Sequence, residues 1–232
     1  MTYDSVVKAT FLSRPNRFIA KVLVNGQEET VHVKNTGRCR ELLIPGCTVY
    51  LNRSDNPNRK TKCDLIAVEK ERQGSAPLLI NMDSQAPNEA AAEWLPRSGL
   101  FSAQAHIRRE VTYGDSRFDF YVEEGARKAF LEVKGVTLEQ DSVALFPDAP
   151  TERGVKHLRE LCEVVDDGME AYLLLVIQMK DIDLFRPNTA THPAFAEALK
   201  AAAEKGVGIL AMDCVVTPDS MAIDKPVVVE LG

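Results

Sequence analysis

Two acids and a lysine stand where a hairpin would bring them together. Ser116-Arg117-Phe118-Asp119-Phe120 and Leu131-Glu132-Val133-Lys134-Gly135 read as two strands, with Glu123-Glu124-Gly125-Ala126-Arg127 as the turn material between them. A fold about Gly125 and Ala126 sets Asp119 opposite Glu132, with Cβ atoms roughly 5 Å apart. The alternation supports that register. Phe118, Phe120 and Val122 then meet Val133, Leu131 and Ala129 on the apolar side, and a slip of one residue would set apolar against polar. Arg117, Asp119, Glu132 and Lys134 are left for the other face. Two carboxylates this close repel unless a proton or a divalent cation lies between them. Arg117 with Lys134, in turn, needs an anion nearby. A metal ion bound to a phosphodiester answers both demands.

The bulk properties are compatible with such a ligand once the charge is resolved along the chain. The formal net charge over 232 residues is −6. Up to residue 85, however, thirteen Lys/Arg face nine Asp/Glu, a net of +4; from residue 86 onward fifteen face twenty-five, a net of −10. Between residues 34 and 62 the bases Lys34, Arg38, Arg40, Arg53, Arg59, Lys60 and Lys62 are opposed only by Glu41 and Asp55. A local basic surface is what phosphate binding requires, whatever the total charge. Cysteines number five, with no C-x-x-C spacing, which fits reduced thiols in a cytoplasmic protein and speaks against a zinc site. The longest apolar run, residues 171–177, is too short to span a bilayer, and Met1-Thr2-Tyr3-Asp4 lacks a signal peptide's basic start and apolar core.

The elements that would hold the hairpin fall into two parts. Residues 1–85 carry six candidate strands, at 6–12, 18–24, 28–33, 47–52, 63–68 and 78–81, and Asn25-Gly26 between two of them is a strong hairpin signal. A short helix is expected over residues 37–43, ended by Pro45-Gly46. Many short strands without a long helix suggest a small barrel: an oligonucleotide/oligosaccharide-binding (OB) fold by size, or an SH3-like barrel. Residues 86–232 read as a second domain of α/β (α+β mixed) class. A helix over 89–94 ends before Pro96, and strands follow near 105–113, 117–122 and 128–133. Asp148-Ala149-Pro150-Thr151 opens a helix to about residue 167, with Val155, Leu158, Leu161, Cys162 and Val165 at helical spacing. A buried strand over 171–178, a helix from Thr191-His192-Pro193 to Lys205-Gly206 and a strand over 207–214 complete the reading, and imply parallel crossovers.

Asp119 followed by Glu132-Val133-Lys134 resembles the PD-(D/E)XK motif of restriction-endonuclease-like proteins, with Phe118 in place of the proline. The chain as a whole resembles the sugar fermentation stimulation protein A family. The stretches that carry the likeness include Asn35-Thr36-Gly37-Arg38, Glu41-Leu42-Leu43-Ile44-Pro45-Gly46, Asn56-Pro57-Asn58-Arg59-Lys60-Thr61-Lys62 and Ser116-Arg117-Phe118-Asp119. Further on stand Glu132-Val133-Lys134-Gly135-Val136-Thr137-Leu138 and Phe146-Pro147-Asp148-Ala149-Pro150-Thr151-Glu152-Arg153-Gly154, leading to Lys156-His157-Leu158. Cys39 and Pro150 depart from the pattern without removing a charge. The resemblance implies an N-terminal OB-fold barrel followed by a restriction-endonuclease-like domain, a mixed β-sheet flanked by helices. It also implies sequence-nonspecific DNA binding and a regulatory role in sugar (maltose) metabolism.

Under that resemblance Asp119, Glu132 and the Val133 carbonyl are the expected ligands of Mg²⁺, with Mn²⁺ as a substitute, and Lys134 orients the attacking water or stabilises developing charge. Arg38, Arg40, Arg59, Lys60, Lys62 and Arg117 are the expected phosphate contacts, with Arg153 and His157 sharing one helix face four residues apart. Gln178 at a strand end is an outer contact to the metal or the nucleic acid, and Glu93 and Glu110 are spare carboxylates. Base-stacking aromatics in the first part are few: Tyr3, Phe11, Phe18 and Tyr50. Two rival functions remain: a non-catalytic DNA-binding regulator, and a sugar-binding regulator that would need an aromatic-lined site.

Overall fold

A computed structural model gives the structure of residues 1–35 and 37–232; Thr36, within one of the stretches quoted above, lies outside the described residues. The first six strands are β1 (Val6–Asn16), β2 (Ile19–Val24), β3 (Gln27–Val33), β4 (Thr48–Arg53), β5 (Cys63–Lys70) and β6 (Leu78–Asn81), in the order β3-β2-β1-β4-β5-β6. Asn25 and Gly26 both adopt positive φ, and the β2–β3 hairpin turns on them. β3 also pairs in parallel with β5, His32 with Asp64 and Val33 with Leu65, which closes five strands into an OB barrel and leaves β6 as an appendage. Two register shifts in β1 bend that long strand around the closure. Val22, Val31, Val49, Leu51 and Leu65 are fully buried.

The short helix expected over residues 37–43 is a single turn, in which Leu42 and Leu43 both donate to the Cys39 carbonyl. Cys39 has φ +43, and Arg14 takes the carbonyls of Gly37 and Arg38 at 3.0 and 2.8 Å. Those carbonyls are the acceptors a first helical turn would have used.

The second part is built on a six-stranded sheet. β7 (His106–Tyr113), β8 (Ser116–Glu124) and β9 (Arg127–Val136) form an antiparallel meander. α2 (Glu152–Asp166) then crosses to β12 (Glu170–Ile177), parallel to β9, and α3 (Pro193–Lys205) crosses to β14 (Gly208–Thr217), parallel to β12. The antiparallel-then-parallel order and both crossovers follow the sequence reading. The antiparallel edge strand β15 (Ser220–Pro226) was not expected, nor was a small sheet of β10 (Leu138–Gln140), β11 (Val143–Phe146), β13 (Leu184–Pro187) and β16 (Val228–Val229). Strands of two to four residues are too short to display an alternation. No helix among the described residues is long and apolar enough to cross a membrane.

Both faces of the sheet are covered. On β12, Leu174 and Val176 join a cluster with α1 (Ala86–Trp94), whereas Leu173, Leu175 and Ile177 join one with Leu158 and Leu161 of α2 and Leu199 of α3. Ala129, Leu131 and Val133 of β9 lie with α1, so Phe130, Glu132 and Lys134 face α2. One expectation fails here. Phe118 does not share the face of Phe120 and Val122 but packs with Tyr113, Phe130 and His157. The β7–β8 ladder skips Glu110 and Asp119, and Glu110 has φ +57, so the alternation changes phase at that step.

Barrel and sheet meet at a polar seam. Gln178, directly after β12, is 1% exposed, and its Nε2 donates to the Asn81 carbonyl, Asn81 Oδ1 and the Asp83 carbonyl, each at 3.1 Å. Asn81 N–H donates back to the Gln178 carbonyl at 2.9 Å. Gly135 passes directly beneath, where a Cβ would lie 2.4 Å from Gln178 Oε1 and 2.7 Å from Pro87 Cγ. Gln178→Leu should lower the unfolding free energy by about 1–3 kcal/mol by stranding buried acceptors. Urea unfolding followed by circular dichroism checks it, and an unchanged midpoint would remove Gln178 from the seam.

Candidate functional site

The site lies where β8 separates from β9. Their ladder runs from Glu124↔Arg127 to Phe120↔Leu131, the register expected from the turn at Gly125 and Ala126, and ends one position before Asp119 and Glu132. Beyond that point the Asp119 side chain replaces a strand partner: Oδ2 accepts the Val133 N–H at 2.7 Å, and Oδ1 accepts Asn88 Nδ2 from α1 at 2.6 Å. Asn88 is a site residue that the sequence reading passed over, since nothing in a helix-start asparagine tells which distant acid it will meet.

Glu132 is 3% exposed. Its Oε1 accepts from Lys134 Nζ and from His157 Nδ1, both at 2.5 Å. His157 Nε2 lies 3.2 Å from Arg153 Nε, a donor. The network therefore assigns the imidazole proton to Nδ1, the nitrogen that faces Glu132. Glu132 Oε2 is buried without any partner. Burial opposes the charge on Glu132, but the His157 hydrogen bond and the Lys134 charge outweigh it and hold the carboxyl below its ordinary range. Asp119 goes the other way: burial and then the Glu132 charge push it up to about 6, against the Val133 N–H, Lys134 and Asn88. Of the two acids, Asp119 is the one that takes up a proton at the higher pH.

An unpartnered buried carboxylate oxygen next to a second, charge-strained carboxylate suits a hard cation. Among the described residues no group of three or more His, Cys, Asp or Glu side chains could hold a metal ion. Two carboxylates supplemented by backbone oxygen and water fit Mg²⁺, which retains water, better than an all-protein cage.

Other expected residues lie apart from this centre. Glu93 is taken by the N-terminal ammonium at 2.6 Å, and Glu110 by Arg117 at 2.7 Å, so neither spare carboxylate stands free and Arg117 is ion-paired. Arg59 makes a fork onto Asp64, which also accepts from His32. The remaining bases divide into two surfaces rather than one: Arg38 and Arg40 line one cleft, Lys60 and Lys62 another of about 700 Å³ beside Arg53. A third cleft, of about 480 Å³, opens at the seam over Lys34, Asp83, Asn88, Glu89 and Arg109, next to the Asn88 contact to Asp119.

The raised Asp119 sets a pH dependence. A carboxyl at about 6 in the folded chain, against 3.8 normally, binds its proton more tightly folded than unfolded. The folded state therefore loses stability as pH rises from about 4 to about 6 and stays lower above that window. Asp119→Asn removes the strained charge. It should raise the unfolding free energy at pH 7.5 in EDTA by up to about 3 kcal/mol, with the gain closing towards pH 4. Urea titrations across pH check this; equal stability at every pH would contradict it.

Family models cover both parts of the chain: the SfsA N-terminal OB domain matches residues 12–76, and the sugar fermentation stimulation protein RE domain matches residues 85–220. A sugar fermentation stimulation protein homolog of Desulfitobacterium hafniense (strain Y51) is 59% identical over 231 residues, covering 100% of this chain and 99% of its own. One from Ruminiclostridium cellulolyticum is 55% identical, covering 100% of both. Among solved structures, Pyrococcus furiosus SfsA in complex with Ca²⁺ superposes with a TM-score of 0.86 at 28% identity, over 99% of this chain and 98% of that one. A closed OB barrel seamed to a mixed sheet, matched along its whole length by these relatives, makes the chain a member of the sugar fermentation stimulation protein (SfsA) family.

Proposed function

We propose that the chain binds DNA, largely without regard to sequence, and hydrolyses phosphodiester bonds at a PD-(D/E)XK-type site of Asp119, Glu132 and Lys134 with Mg²⁺. The observation that carries this reading is the buried Glu132 carboxylate, whose Oε2 lacks a partner beside an Asp119 pushed up to about 6. Glu132 Oε2, Asp119 and the Val133 carbonyl would hold the ion, all hard oxygens, with Mn²⁺ able to substitute. The Ca²⁺ bound to the Pyrococcus relative, another hard cation, supports the same ligand chemistry. When bound, Mg²⁺ supplies positive charge that polarises the phosphate and acidifies water.

The chain's own groups do the rest. Nδ1–H of His157 fixes Glu132 through Oε1 and so leaves Oε2 free to face a ligand. Asn88 and the Val133 N–H orient Asp119. Lys134 spends one N–H on Glu132 and keeps two for a phosphate oxygen or the attacking water, where charge develops. Arg153, exposed and braced on His157, adds a phosphate contact. Arg38, Arg40, Lys60 and Lys62 are exposed on the barrel and would hold the backbone at a distance from the chemistry.

A second reading, a non-catalytic DNA-binding regulator of sugar (maltose) metabolism, draws on the fact that Lys134 and His157 already satisfy Glu132 Oε1. Cleavage of single- and double-stranded DNA in Mg²⁺, Mn²⁺ or EDTA decides between them. Metal-dependent cutting should fall by about 100-fold or more in Asp119→Ala and in Lys134→Ala, with binding retained. Salt-sensitive binding without any cutting would leave the regulator. Cutting unaffected by either substitution would remove the hairpin from the mechanism.

A further inference from the structure

Of the four aromatics that could stack on bases in the barrel, Phe18 alone is exposed. Phe11 is 1% exposed. Tyr3 is held by Asn81 and Asp83, and the Tyr50 hydroxyl donates to Glu69 at 2.5 Å. Phe18, at the β1–β2 turn, is 50% exposed. Its backbone is held in place: Asn16 Oδ1 accepts the N–H groups of Phe18 and Ile19 at 2.9 and 3.1 Å, and the Phe18 carbonyl accepts Val33 N–H at 2.8 Å. The Arg17 guanidinium lies 5.8 Å from the ring centre.

This turn is bound to a second loop by one side chain. Arg14 donates to the carbonyls of Arg17 and Asn35, each at 2.7 Å, and to those of Gly37 and Arg38 at 3.0 and 2.8 Å. The two loops therefore present their outer side chains as a single surface. Between them opens a cleft of about 480 Å³ lined by Arg14, Asn16, Arg17, Arg38 and Arg40, with the Asp148 carboxylate set against Gly37 at its edge. Ala149 closes its far side, four residues before Arg153 on α2, which braces His157 against Glu132.

An exposed ring on a tied-down turn beside an arginine cleft is the pairing that single-stranded nucleic acid requires: a π-face for a base, cations for the flanking phosphates. A duplex keeps its base faces stacked inside and cannot offer one. We propose that the barrel grips an unpaired segment of nucleic acid, one base stacking on Phe18 and the adjoining phosphates lying in the Arg17–Arg38–Arg40 cleft, from which the strand meets the loop entering α2. This rests on the nucleic-acid binding proposed above but not on cleavage.

The test is equilibrium binding of labelled dT and rU oligomers, a DNA duplex and polyphosphate, in EDTA at two salt concentrations. Phe18→Ala should weaken binding of the preferred single strand about 5- to 100-fold and leave duplex and polyphosphate binding unchanged. Phe18→Trp should retain that binding, with its added fluorescence quenched by the oligomer, the wild type with Trp94 alone serving as reference. Arg38→Ala and Arg40→Ala should each flatten the salt dependence by about 0.7 in log–log slope. Unchanged single-strand affinity in Phe18→Ala, or an equal loss on duplex and polyphosphate, overturns the stacking site while DNA binding stands. A wild-type protein that binds none of the four overturns both.

Discussion

A negative charge held inside the second domain governs the arrangement around it. Glu132 sits on a strand paired on both sides, 3% exposed, in a position where an isolated carboxylate would take up a proton. It stays ionised because Lys134 on the same strand and His157 on α2 both reach Oε1. That requirement pins the first two turns of α2 against β9. It also explains why His157 is buried with its other nitrogen against Arg153. Burial, and then that charge, raise its neighbour Asp119, which is therefore the first of the pair to be protonated as pH falls. An arrangement that satisfies one oxygen twice and leaves the other unpartnered is poorly explained by stability alone. Buried ion clusters are weak stabilisers, and strain of this kind is characteristic of sites that await a ligand.

The same region is where the two halves of the chain are fastened. Gly135 follows Lys134 and runs beneath Gln178 and Pro87 without room for a side chain, and Gln178 ties Asn81 and Asp83 at the end of β6, the strand appended to the barrel. Asp83 is held again by Lys34 at 2.7 Å. The barrel, the start of α1 with Asn88, and the acidic centre thus share one set of polar contacts. A shift of the barrel would move Asn88 and, through it, Asp119. The two parts of the chain are mechanically linked at this seam.

Much of this was legible in the residues. Asn25-Gly26 fixed a hairpin because only residues tolerant of positive φ fill such a turn, and the alternation in the 116–136 hairpin fixed its register. The apolar run in β12 announced a strand covered on both faces. Other features were silent. The expected helix at 37–43 failed because Arg14, more than twenty residues earlier, claims its carbonyls. Phe118 left its predicted face because the alternation changes phase where the β7–β8 ladder is interrupted, at Glu110 and Asp119. Gln178 read as a candidate ligand contact, yet its amide nitrogen is spent wholly on the seam.

By itself the sequence determined the local chemistry: which residues turn, which alternate, which acids and bases stand one hairpin apart, and to which family their order belongs. Those properties depend on neighbours within a few positions, where sterics and burial leave a recognisable period. Only the tertiary structure decided which charges are free and which are spent. Arg59 is paired with Asp64, Arg117 with Glu110 and Glu93 with the N-terminal ammonium, whereas Glu132 Oε2 is left without a partner and Phe18 is left half exposed. A side chain's partner is set by where distant segments cross, and residues of one type look alike in sequence until the fold assigns each its neighbour.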